Sequence, residues 1–135
     1  MSATDEQFAF LLDLARLIFW ASENGYTVTG GELWRPETTA WTNSLPPEST
    51  LTAKTKDGKE VHYWNSVGGS GISKSLHIRR LAIDLNLIKD GKLAQSVDDY
   101  RELGEYWEML SPLNRWGGRF QHPRPDAPHF ERNSP

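Results

Sequence analysis

The chain has 135 residues, a formal net charge of −3 from 15 basic and 18 acidic side chains, and no cysteine. This length fits a single domain spanning residues 1–135, which can bury roughly two-thirds of its unfolded surface and so needs no disulfide. Without cysteine there are no disulfides, cysteine zinc knuckles, iron–sulfur clusters or thiol nucleophile, and any metal must be held by His and carboxylates alone. No long basic stripe is present, so nucleic acid is not an expected partner.

The N-terminus, Met1-Ser2-Ala3-Thr4-Asp5-Glu6, starts acidic and lacks the positive region and cleavage site of a secretory signal. The longest apolar stretch, Phe8 to Ala21, is broken by Asp13 and Arg16, so no stable membrane insertion is expected. The product is expected in the cytoplasm on synthesis. Six tryptophans in so short a chain imply a rigid core, a saccharide-lined cleft, or both, and composition does not separate the two.

In chain order, Thr4-x-x-Gln7 reads as a capping box. The apolar residues Phe8, Leu11, Leu12, Ala15, Ile18 and Phe19 then predict an amphipathic helix ending near Asn24-Gly25, with the glycine as left-handed cap. Tyr26 to Thr29 predicts a strand, interrupted by Gly30-Gly31. Pro36 to Trp41 can open a short helix. Asp57-Gly58, flanked by Thr52, Thr55, Val61 and Tyr63, predicts a hairpin, and Gly68-Gly69-Ser70-Gly71 reads as a loop. Leu81 to Ile88 predicts a central strand with one polar side, turned at Asp90-Gly91. Ser96 caps a second helix with Tyr100, Leu103, Trp107 and Leu110 as its buried stripe, ending before Pro112. Helices and strands mix without βαβ alternation, which predicts an α+β fold with a small antiparallel sheet flanked by helices.

The candidate chemistry lies near the C-terminus. Pro125 and Pro128 fix φ around Asp126 and His129, so this segment is extended or turned and can present both side chains. Read alone, it is equally a solvated tail. His77 and Asp84 are seven residues apart, which on an unbroken strand puts them on opposite faces. They can meet only if the chain turns between them, and Arg79-Arg80 is the place for it. Asp84 sits in an apolar strand, where an unpaired charge is costly and metal coordination is one remedy. Arg35 follows the glycine pair and can bind a carboxylate or an oxyanion, or simply lie on the surface. Neither His62 nor His122 has a carboxylate at useful spacing, though His122 lies near the segment and could touch substrate. There is no G-x-S-x-G elbow and no P-loop.

Together, Ser75-Leu76-His77, Ala82-Ile83-Asp84 and Asp126-x-x-His129 resemble the S-x-H-x-x-G-x-A-x-D and [ED]-x-x-H motifs of the zinc D-Ala-D-Ala carboxypeptidase and L-alanyl-D-glutamate endopeptidase family, which has the Hedgehog/DD-peptidase fold. Trp107, Trp116-Gly117-Gly118 and His129-Phe130-Glu131 are similar to landmarks of its bacteriophage endolysin branch. The resemblance implies Zn2+ held by His77, Asp84 and His129, with Asp126 as the catalytic carboxylate. It implies Arg35 as substrate ligand and oxyanion stabiliser, and Ser75 as a substrate contact. Arg80 stands where the motif has glycine.

The implied reaction is metal-assisted amide hydrolysis, with Asp126 moving the proton. The implied substrate is the peptidoglycan stem peptide, cut between L-Ala and D-Glu by a monomeric lysin. Such an enzyme is made in the host cytoplasm and reaches the periplasm once the membrane is permeabilised. A D-Ala-D-Ala carboxypeptidase or dipeptidase is the alternative, and a non-enzymatic zinc-binding domain of the same fold is a second.

Overall fold

The computed structural model describes residues 1–31, 49–54, 56–65 and 76–135. Arg35, the helix expected at Pro36, the loop expected at Gly68 and Ser75 lie outside these residues. Helix α1 (Ala3–Glu23) starts at Ser2, whose side chain accepts from the Asp5 backbone while the Asp5 carboxylate accepts from Ser2. The capping box is therefore two residues upstream of the one predicted at Thr4. Asn24 caps the other end and Gly25 follows at φ 79°, as expected.

The buried stripe of α1 is Phe10, Leu14, Leu17 and Ala21, with Glu6 and Asp13. The predicted stripe is on the wrong face: Phe8, Leu11, Leu12, Ile18 and Phe19 are exposed. Helical periodicity fits both sets, because α1 is apolar on two faces, and only packing decides between them. The inner face meets the core where Phe10 touches Trp107 edge-on, with ring centroids 5.6 Å apart.

Among the described residues, strands β1 (Thr27–Gly30), β4 (Ala82–Lys89), β5 (Lys92–Leu93), β6 (Asn114–Trp116) and β7 (His129–Arg132) form one antiparallel sheet. Its order is β1-β4-β7-β6, with β5 pairing β4. A separate hairpin joins β2 (Ser49–Lys54) and β3 (Glu60–Asn65) across the turn that contains Asp57-Gly58. The turn between β4 and β5 has Asp90 at φ 53° and Gly91 at φ 74°, the paired positive angles that two-residue hairpins favour.

Helix α2 (Val97–Leu110) is capped by Ser96 and buries Tyr100, Leu103 and Trp107. Trp107 and Phe130 pack edge-on at 6.1 Å, which ties α2 to β7. Trp107 Nε1 also donates to the backbone carbonyls of Arg115 and Glu131, which lie on neighbouring strands. The architecture is the expected α+β. No helix among the described residues is long and apolar enough to cross a membrane.

Candidate metal centre

His77 is not on a strand. It lies in the turn 76–80, closed by hydrogen bonds from Arg79 N to Leu76 O, Arg80 N to His77 O and Leu81 N to Leu76 O. Arg80 takes φ 60° as the chain reverses before β4. The turn removes the strand parity that would have set His77 and Asp84 on opposite faces. The motif position usually filled by glycine is thus one where the backbone is left-handed, and here an arginine accepts that conformation.

Asp84 and His129 meet through sheet register. They are directly opposed on β4 and β7, and directly opposed residues place their side chains on the same face. Two glycines bring backbone close to these residues. Gly31 donates its N–H to Asp84 O at 2.7 Å, and a Cβ on Gly31 would lie 2.6 Å from that oxygen. A Cβ on Gly117 would lie 2.2 Å from Asp126 O and 2.8 Å from His129 Cβ.

Three donor atoms converge. His77 Nε2 lies 3.2 Å from His129 Nδ1, and each nitrogen is 3.4 Å from Asp84 Oδ1. Zinc–ligand bonds of about 2.0–2.1 Å at tetrahedral angles place ligand atoms about 3.3–3.4 Å apart, so this triangle fits a zinc ion. Asp84 Oδ1 is buried and lies beyond good hydrogen-bond range of both rings, an acceptor that a cation would satisfy. The donor set, two imidazoles and one carboxylate, leaves a fourth position open, as catalytic zinc sites do.

The charges are arranged accordingly. Burial raises the pKa of Asp84, but the close approach and charge of the His129 and His77 rings outweigh it and hold the group well below the usual carboxylate range. Burial lowers the pKa of His129, but Asp84 and Glu131 outweigh it and push the value up to about 9. Asp126 is held by its backbone: its N–H donates to Gly117 O at 2.8 Å, and its carbonyl accepts from His129 N at 3.1 Å. The residue as a whole is exposed. Partial burial of its carboxyl raises its pKa; the charge of Asp84 adds to the rise, against the pull of His129, His77 and Arg124.

Of the residues singled out in the sequence, the fold brings His77, Asp84 and His129 into contact and sets Asp126 within their electrostatic reach. The segment that could have been a tail contains β7, buried at all four positions. His122 is exposed, and His62 lies in β3. Glu131 had no assigned role, yet its Oε2 lies 2.7 Å from His129 Nε2. The signal for it was strand parity, since residues 129 and 131 share a face. Phe120 is a further neighbour, its ring centroid 5.6 Å from that of His129.

Fold and cluster together define a small α+β protein with a His/Asp/His site of zinc-binding geometry. Residues 68–132, which contain the three donors and Asp126, match the sequence model of a family described as D-alanyl-D-alanine carboxypeptidase. The structure is similar to that of the L-Ala D-Glu endopeptidase ChiX of Serratia marcescens, with a TM-score of 0.60, 17% identity, and coverage of 96% of this chain and 85% of that one. At that identity the likeness is one of fold. A comparison with curated proteins gives no match. The family resemblance read from the motifs is borne out, and so is the DD-peptidase-like fold.

Proposed function

We propose that the protein is a zinc-dependent peptidoglycan peptidase that hydrolyses the L-Ala–D-Glu bond of the stem peptide. The observation that carries this is the triangle of His77 Nε2, His129 Nδ1 and Asp84 Oδ1, with sides of 3.2, 3.4 and 3.4 Å and Asp126 beside it. The likeness to an endopeptidase in fold supports the choice of bond. We extend the reading to a bacteriophage lysin, made in the host cytoplasm and acting in the periplasm. The landmarks at Trp107, Trp116-Gly117-Gly118 and His129-Phe130-Glu131 support that branch.

His77, Asp84 and His129 would hold the ion. Zinc bound there would supply Lewis acidity to the scissile carbonyl and acidify an attacking water. The Asp126 carboxylate takes the proton from the water and returns it to the leaving amine. Its raised pKa makes it a stronger base than an ordinary aspartate, as proton transfer from the water requires. Arg35 would stabilise the oxyanion and Ser75 would touch the substrate, as the family motifs imply.

The test is metal analysis together with turbidity loss on Gram-negative cells with a permeabilised outer membrane. Asp126→Ala should keep zinc and lose about 10²–10⁴-fold in lytic rate, the range for a general base. His129→Ala should lose zinc and lysis together. Wild-type protein that binds no zinc, or Asp126→Ala that lyses at the normal rate, would end this reading. The matched family description favours a second reading, a carboxypeptidase that removes terminal D-Ala. Mass spectrometry of the released muropeptides separates the two: a new N-terminal D-Glu supports the endopeptidase, and free D-Ala the carboxypeptidase.

A further inference from the structure

His129 meets two partners through two different nitrogens. Nδ1 faces Asp84 Oδ1 and His77 Nε2, while Nε2 lies 2.7 Å from Glu131 Oε2. A neutral imidazole offers a metal a lone pair on one nitrogen only when the other carries the hydrogen. Glu131 is itself fixed from several sides. Its Oε1 accepts from Arg115, directly opposite on β6, and its backbone carbonyl accepts from Trp107 Nε1 at 3.0 Å. The residue is only 5% exposed. A buried carboxylate is a poor choice for stability alone, since an apolar residue of similar volume often serves as well or better.

We propose that Glu131, anchored by Arg115, is a positioning residue that keeps the hydrogen of His129 on Nε2 and so aims the Nδ1 lone pair at the metal. This rests on the zinc reading above, and it adds two residues that never touch the ion. Carboxylate partners of ligating histidines commonly contribute 10–100-fold to metal affinity.

The isosteric variant Glu131→Gln gives the sharpest test. With Arg115 still donating to Oε1, the amide turns its NH2 toward His129 Nε2. That favours the opposite tautomer, with a hydrogen where the metal should bind. The full chain is measured by chelator competition for zinc at fixed pH, with circular dichroism of the metal-free protein as the folding control. Glu131→Gln should bind zinc at least about tenfold more weakly. Adding Arg115→Met lets the amide rotate and offer its carbonyl to Nε2, so the double variant should regain part of the loss. A purely structural Glu131 would shift the melting temperature and leave the zinc affinity alone.

Wild-type affinity in folded Glu131→Gln overturns the proposal, as does a double variant no tighter than Glu131→Gln. If Glu131→Gln does not fold, Arg115→Met alone decides: a severalfold loss supports the relay and unchanged affinity overturns it. Wild-type protein that binds no zinc would instead sink the zinc reading itself, so the two failures are distinct.

Discussion

Arg80 shows how one residue records a backbone demand. At φ 60° it occupies a region that costs a residue with a side chain about 1–2 kcal/mol and glycine almost nothing. Arg80→Gly should therefore be about 1 kcal/mol more stable in urea unfolding than Arg80→Ala, which loses the same side-chain contacts but keeps Cβ. A glycine variant no more stable than the alanine variant would refute this account. A second residue-scale effect is pH. His129 in the folded, metal-free protein binds its proton more tightly than its ordinary value of 6.5 would allow, with a pKa of about 9. Its contribution is complete below pH 6.5 and fades as pH rises through 9. Asp84 is shifted down from 3.8, so its contribution is present above that value and fades in acid. Both describe one coupled cluster and are not summed. Metal-free protein should thus be most stable between about pH 4 and 6.5, and a maximum near pH 9 in urea titrations would contradict this. Zinc must displace the His129 proton, so its affinity should climb with pH toward 9.

Among the elements, local signals were legible and long-range choices were not. Asp90-Gly91, Asp57-Gly58 and Ser96 marked their turns and cap because the chemistry lies within a few residues. The buried face of α1 was not legible, since both candidate stripes are apolar and the partner that selects one is distant in sequence. The pairing of Asp84 with His129 is likewise set by β4–β7 register, which no local pattern encodes. The motifs pointed to it only through resemblance. The same distance hides the lock between α1 and β7, where Arg132 Nε donates to Glu6 Oε2 at 2.5 Å with both side chains largely buried. Removing one partner of such a pair strands a buried charge and costs about 3–5 kcal/mol, whereas replacing both by apolar residues is often neutral. Glu6→Ala should therefore unfold at much lower urea, and Glu6→Leu with Arg132→Met should recover most of the loss. A double variant as weak as the single one would show that the charge is not what matters.

For the whole molecule, the site and the fold depend on the same strand. β7 lies between β4 and β6, so His129 is presented from the interior of the sheet and not from a loop laid over it. The segment leading into β7 and the strand itself also accept hydrogen bonds from the two largest buried side chains among the described residues: Trp116 Nε1 donates to Ala127 O at 2.8 Å and Trp107 Nε1 to Glu131 O at 3.0 Å. Deleting residues 126–135 removes Asp126, His129 and Glu131 together with the core ring of Phe130. It also leaves the facing edges of β4 and β6 without partners, takes from Trp116 Nε1 its acceptor at Ala127 and from Trp107 Nε1 one of its two, and an unmet buried donor costs about 1–3 kcal/mol. The deleted chain should lose zinc binding and lysis, and with them its cooperative thermal transition. His129→Ala should lose zinc and lysis while still melting cooperatively. Calorimetry of the two variants side by side separates loss of a ligand from loss of a strand. A truncated chain with an intact sharp transition would mean that the sheet stands without β7, contrary to the order β1-β4-β7-β6.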